Sequence, residues 1–288
     1  MTWAVALKLG RVSNLPTVWT NMLAALVIAG GASFGASTLV LLIALTLFYV
    51  GGMYLNDAFD AEIDAKERPE RPIPSGQVTR GTVMGLGFGM LALGVLLLAA
   101  IGFAGGKGIW PLIGGLGLAA AIVFYDWNHK ANALSPVVMG ACRMLVYVAA
   151  GLTVALPLPG PLLIGGALLL CYVIGLTYVA KQENLGRVEN LWPLLFLAAP
   201  LLYGLSLAIE QPMTAIFWIV FAGWMGVALW LIKRRGPGDV PRAVVSLIAG
   251  ISLYDAVLIA GSGSFALAVL AGLGFLLTLA LQRFVPGT

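Results

Sequence analysis

Apolar residues fill this chain in long blocks separated by short polar breaks. Ten such blocks lie near residues 15–34, 38–57, 81–103, 109–126, 134–156, 161–180, 190–209, 213–232, 241–261 and 264–283. As helices, they have the length needed to cross a hydrocarbon layer of roughly 30 Å. Only Gly261-Ser262-Gly263 joins the last two, so nine spans followed by a broken or re-entrant segment is the alternative. The pattern predicts an all-α fold: a polytopic membrane helical bundle of about nine or ten helices, a single transmembrane domain over residues 1–288. Glycines recur inside the blocks, as in Gly85-x-Gly87-x-Gly89, where close helix packing explains them better than nucleotide binding.

Composition agrees with the pattern. With 60% hydrophobic residues, 10% charged residues and a mean hydropathy of +0.99, a soluble core of this size could not hide the apolar surface. Of 16 Lys and Arg residues, fourteen fall in the segments on one side of the ten blocks; Lys107 is alone on the other side and Arg143 sits inside a block. Basic loops stay in the cytoplasm, so both termini and that face are expected there. Lys8 and Arg11 directly precede a full-length span, so that span is expected to act as targeting signal and no cleavable leader is apparent. The net charge of +4 is spread over short loops suited to anionic lipid and requires no nucleic acid. Cys142 and Cys171 lie in apolar blocks, which argues against a disulfide framework, and a single histidine argues against zinc.

One polar stretch stands out. Between Asp57 and Glu70, fourteen positions hold six of the chain's 12 acidic residues. If the second helix runs on through this stretch, Asn56, Asp60, Asp64 and Asp57 fall at about 0°, 40°, 80° and 100° around it, on one face. Three carboxylates and an amide oxygen so crowded repel one another unless a cation intervenes, and oxygen-only donors suit Mg²⁺. Mg²⁺ fills its shell with waters and substrate phosphates, so the cluster suggests a phosphate-bearing ligand. A solvated helix end accounts for Glu62, Glu67 and Glu70 beside Lys66, Arg68 and Arg71. It does not account for the segregation of the aspartates.

The string Asn56-Asp57-x-x-Asp60-x-x-x-Asp64, continued by Arg68-Pro69-x-Arg71-Pro72-Ile73-Pro74-Ser75-Gly76, resembles the first aspartate-rich motif of the UbiA superfamily of intramembrane prenyltransferases. The resemblance implies a bundle of about nine helices and Mg²⁺ bridging the diphosphate of a polyprenyl donor. It further implies transfer of the isoprenyl chain to a lipophilic acceptor, whether aromatic, tetrapyrrole or glycerol lipid, with the membrane lipid as surroundings. Tyr125-Asp126-Trp127-Asn128-His129-Lys130 is similar to the family's Tyr-Pro-x-x-Lys-Arg segment, with Asp126 in the proline position. Where the second aspartate motif should follow the sixth helix, the chain reads Lys181-Gln182-Glu183-Asn184-Leu185-Gly186-Arg187, and Glu183 is the carboxylate in the expected place, with Glu189 further on.

The resemblance makes Asp57, Asp60, Asp64, Lys130 and Glu183 the candidate catalytic residues and Asn56, Asp57, Asp60, Asp64 and Glu183 the candidate metal ligands. Asn56, Arg68, Arg71, Lys130, Lys181 and Arg143 are the candidate diphosphate-binding residues. The missing aspartates leave an alternative from another class, a non-catalytic isoprenoid-phosphate binder or transporter that retains only the first motif. An arginine inside a span, as Arg143 is, faces the protein interior or an aqueous cavity. Asp255, deep in the ninth block, could pair with a buried base, help activate an acceptor or stay protonated. Asn14 and Asn21 suit helix–helix hydrogen bonding or substrate contact. Tyr54, Tyr125, Trp127, Tyr147 and Tyr178 lie at depths where they could shelter an allylic cation, although an interfacial belt explains each of them as well.

Overall fold

The computed structural model describes residues 1–31, 34–130, 132–182, 191–285 and 287. Twelve α-helices follow in chain order among the described residues: α1 (Trp3–Leu9), α2 (Leu15–Ile28), α3 (Ala36–Phe59), α4 (Ala61–Glu67), α5 (Arg80–Ala104), α6 (Trp110–Asn128), α7 (Ser135–Leu152), α8 (Gly160–Lys181), α9 (Ala198–Glu210), α10 (Thr214–Arg234), α11 (Asp239–Gly261) and α12 (Phe265–Leu281). Eight segments are long and apolar enough to cross a membrane, and Val12–Ile28 and Phe265–Leu281 are shorter apolar helices. All ten predicted blocks are therefore helical, and the fold is all-α.

The differences are at the ends. The first span stops at Ile28 rather than residue 34, because Gly30 turns the chain with φ 79°. The fifth ends at Leu152 rather than 156. The seventh opens as a 3₁₀ turn, Trp192–Leu197, before α9. The N-terminal tail carries α1, whose Trp3 and Leu7 are exposed while Val5 and Leu9 are buried. That short helix has no long apolar block, so the pattern of spans does not predict it.

Helix α11 is the hub. It packs on α2, α8, α9, α10 and α12, and every residue from Ala249 to Ala260 is buried. Around it, α7 packs on α2, α6 and α8, while α3 packs on α5 and α6. Close approach needs small residues where helices touch. A Cβ on Gly51 of α3 would sit 3.0 Å from the Gly87 carbonyl oxygen of α5, and one on Gly140 of α7 would meet the Leu170 carbonyl oxygen of α8 at 2.8 Å. Because that oxygen is backbone, relief requires a helix shift. Gly140→Ala is expected to cost about 1–3 kcal/mol, the usual range for overpacking, read as a lower melting temperature in detergent.

The alternation of short turns brings one set of helix ends together. The start of α2, the end of α3, α4, the end of α6, the start of α7 and the end of α8 all border one cavity of about 500 Å³.

Candidate active site

Helix α3 ends at Phe59 and α4 begins at Ala61, so the continuous helix expected through Asp64 is interrupted at Asp60. The break is slight: Asp60 keeps right-handed helical angles, its amide donates to the Asn56 carbonyl and its own carbonyl accepts from the Asp64 amide. The one-sided arrangement of the motif survives. Asn56, Asp57, Asp60 and Asp64 are all buried, between 2% and 7% exposed, while Glu62 has an 85% exposed side chain paired to Arg80.

After α4 the prolines at 69, 72 and 74 withhold backbone donors and the chain coils into successive turns, closed by Gly76 at φ 75°. These turns aim Arg71 back at the motif. Its Nη1 donates to Asp64 Oδ2 at 2.8 Å and to Asp57 Oδ1 at 3.3 Å. Arg11, just before α2, reaches the same carboxylate from the other side, with Nη2 at 2.9 Å from Asp57 Oδ1 and 3.2 Å from Asn56 Oδ1. Asp57 therefore lies one layer behind the cavity wall and fixes two guanidinium groups. Asn56, Asp60, Asp64, Arg68 and Arg71 form the wall itself.

The end of α6 supplies the opposite rim. His129 Nε2 and Lys130 Nζ both lie 3.3 Å from Asp60 Oδ2. Burial alone would raise the Asp60 carboxyl, but the hydrogen bond and charge of His129, with Lys130, outweigh it and hold the group below its usual value. The His129 ring stacks on Tyr125 at 4.9 Å, which fixes its position. Asn56 Nδ2 donates to Asp126 Oδ1 at 3.2 Å, and Asp126 is 4% exposed.

Lys181 and Arg143 are set differently. Lys181 Nζ donates to Ser135 Oγ at 2.8 Å and to the Asn132 carbonyl at 3.0 Å, tying the end of α8 to the turn before α7 at the cavity edge. Arg143 lines the cavity but bonds α2, with Nη1 donating to Asn21 Oδ1 at 3.0 Å and Nη2 to Thr17 Oγ1 at 3.1 Å. Asn14 accepts from Gln282 and donates to the Gly287 carbonyl, so it anchors the C-terminal segment. Glu183, Arg187 and Glu189 lie outside the described residues. Further in, the wall turns apolar with Leu45, Phe48, Val146, Val173, Leu176 and Ile251. A charged mouth thus opens onto a greasy chamber, the shape an anionic head with a hydrocarbon tail requires.

The profile of the UbiA prenyltransferase family matches residues 17–248. The chain belongs to that family. It is therefore an integral membrane protein with several spans, as its apolar helices also indicate. Curated relatives that it resembles are named digeranylgeranylglyceryl phosphate synthase. It is 39% identical to that of Ignicoccus hospitalis over 36% of this chain and 33% of the relative. To that of Metallosphaera sedula it is 31% identical over 44% and 43%, and to that of Thermococcus kodakarensis 30% identical over 52% and 51%. The matched stretches thus span about a third to a half of these relatives' length. A solved structure, titled as giving structural and mechanistic insights into digeranylgeranylglyceryl phosphate synthase in membranes, covers 90% of this chain and 97% of its own with a TM-score of 0.62. At 20% identity, that likeness concerns the fold.

In this UbiA-family chain, Arg11 and Asp126 were missed as site residues by sequence reading. Arg11 counted only as one basic residue in a loop. Asp126 had a usable signal, a carboxylate at the end of an otherwise apolar block.

The donor chemistry fits the ion the family resemblance implies. All candidate donors are oxygens, which suits Mg²⁺. Among the described residues no three carboxylate, His or Cys groups converge as a ready ion cage, and Mg²⁺ needs only one or two carboxylates when substrate phosphates and water complete its shell.

Proposed function

We propose that the chain is a Mg²⁺-dependent intramembrane prenyltransferase that moves an isoprenyl chain from a polyprenyl diphosphate to a glycerol lipid bearing a phosphate. The observation that carries this reading is the single cavity that joins the Asp60–Asp64–Arg71–Lys130 mouth to an apolar interior. The names of the curated relatives support the glycerol-lipid acceptor over the aromatic and tetrapyrrole ones.

The diphosphate sits at the mouth and the hydrocarbon tail in the chamber. Asp60 and Asp64, backed by Asp57, would hold the Mg²⁺ ion, which would supply charge neutralisation for the leaving diphosphate. Arg68, Arg71 and Lys130 donate hydrogen bonds to the same oxygens, stabilising negative charge as it develops. The allylic carbon–oxygen bond breaks with its electron pair leaving on diphosphate. The acceptor hydroxyl oxygen then bonds to that carbon and gives its proton to the departing diphosphate. Arg143 provides a second cationic point on the wall, and we assign the acceptor's phosphate to it. The basic bias of the loops on this side supports a cytoplasmic mouth and a cytoplasmic N-terminus.

The absence of aspartate between Tyr178 and Asn190 favours a second reading, an isoprenoid-phosphate binder or transporter without turnover. Release of inorganic diphosphate from geranylgeranyl diphosphate by the purified protein separates the two. Release that requires both Mg²⁺ and a geranylgeranylated glycerol phosphate, and stops with EDTA, is the expected result. Tight Mg²⁺-dependent binding without release would establish the binder instead.

A further inference from the structure

We propose that Asp126 is a ligand to the divalent cation, filling from α6 the place that the missing aspartates after α8 leave open; the inference rests on the metal-dependent reading above. The sequence lacks an aspartate between Tyr178 and Asn190, and it gains one at 126, where the resembled segment carries proline. Asp126 borders the same cavity as Asp60 and Asp64. Its Oδ1 accepts from Asn56 Nδ2 at 3.2 Å, and its Oδ2 is fully buried with no hydrogen-bond partner. A buried carboxylate oxygen without a partner is costly, because its lost hydration is not replaced. The three aspartates of the first motif each have a basic side chain against them: Arg11 and Arg71 at Asp57, His129 and Lys130 at Asp60, Arg71 at Asp64. No Lys, Arg or His in the described residues forms an ion pair with Asp126. Arg11, whose charge reaches Asp126, is committed to Asp57 and Asn56, and a divalent cation at Oδ2 would supply the missing partner, a hard ion suiting an oxygen donor.

Asn56 acquires a clear task in this arrangement. Its Nδ2 holds Oδ1 of Asp126 and so orients Oδ2, while its own Oδ1 is engaged by Arg11. It orients a ligand rather than serving as one. The backbone contact of His129 Nδ1 with the Asp126 carbonyl at 3.3 Å, together with the His129–Asp60 contact, links the two proposed ligands through one imidazole.

The test is Mn²⁺ binding followed by EPR on the full chain in detergent, with unreactive geranylgeranyl thiolodiphosphate as the anion. Wild type is expected to bind Mn²⁺ in an analogue-dependent way. Asp126→Asn keeps an acceptor for Asn56 and removes only the charge. It is expected to weaken Mn²⁺ at least about tenfold, the low end of what losing even an outer-shell partner costs. Asp126→Cys is the second variant: a small thiol suits an apolar wall and should exchange the preference for Mn²⁺ for one for Cd²⁺. Mn²⁺ binding unchanged in Asp126→Asn, with no Cd²⁺ preference in Asp126→Cys, overturns the assignment while Asp60→Asn still loses the ion. Failure of wild type to bind Mn²⁺ at all instead overturns the metal-dependent reading.

Discussion

Asp60→Asn is expected to lower prenyl transfer by roughly 100- to 1000-fold, the loss seen when one preorganised electrostatic contributor is removed from a reaction centre. The carboxylate stands at the mouth between His129 and Lys130, both 3.3 Å from Oδ2, and the hydrogen bonds and charge they offer hold the group below its usual value. The amide keeps the shape but cannot offer a charged oxygen to an ion, and it leaves Lys130 uncompensated near the diphosphate. Donor binding without metal is therefore expected to hold or improve, while the gain from Mg²⁺ disappears. Asp64→Asn should follow the same pattern. Since Arg71 retains Asp57 as a partner, the loop stays in place. Glu62→Gln supplies the contrast: its side chain points to solvent and pairs with exposed Arg80, and exposed pairs contribute about 0–1 kcal/mol. Its rate should stay within about fivefold of wild type, since about 1.4 kcal/mol corresponds to tenfold. Steady-state diphosphate release with a Mg²⁺ titration checks all three; equal loss in Glu62→Gln and Asp60→Asn would remove the special role of the buried face.

The separation of Asp60 and Asp64 from Glu62 was legible in the chain because helical periodicity alone puts them on different sides. The small break at Asp60 did not disturb it, since Asp60 kept helical angles and the ladder resumed at Asp64. Span positions were legible for the same kind of reason, as apolar length is local. What was not legible depends on which helices become neighbours. Nothing near Arg11 in sequence indicates that it will meet Asp57, 46 residues away, or that Asp126 will meet Asn56, 70 residues away. Lys181, a candidate phosphate ligand by its charge, lines the cavity, and tertiary packing also gives its ammonium the oxygens of His129, Asn132 and Ser135. Asp255 had three open readings. Packing selects a network.

Asp255→Ala is expected to destabilise the folded protein by about 2–6 kcal/mol, from about 1–3 kcal/mol for each of the two buried donors, Asn21 and Tyr147, that it leaves without an acceptor. The carboxylate is fully buried in α11, where Thr20 Oγ1 donates to Oδ2 at 2.6 Å, Asn21 Nδ2 at 2.8 Å and Tyr147 Oη to Oδ1. Removing it strands the Asn21 and Tyr147 donors in an apolar interior, while Thr20 can turn to the Thr17 carbonyl or Ser252. It also takes away the negative charge that faces Arg143 through Asn21, whose Oδ1 accepts from the guanidinium at 3.0 Å. Arg143 then remains as a half-buried cation with only neutral hydrogen-bond partners. Asp255→Asn keeps an acceptor oxygen and should lose less. The decisive comparison is a double-mutant cycle with Arg143→Gln. If the two charges balance one another across Asn21, the double variant Asp255→Asn/Arg143→Gln should be more stable than the sum of the single losses predicts, by a coupling of roughly 0.5–3 kcal/mol. Melting temperatures in detergent report it, and strict additivity would mean that Asp255 serves α2 and α7 as a hydrogen-bond acceptor alone. Because Arg143 lines the cavity, the same variants carry the loss from the bundle's centre to the site: Asp255→Asn should raise the KM for the phosphorylated acceptor while leaving donor binding at the mouth unchanged.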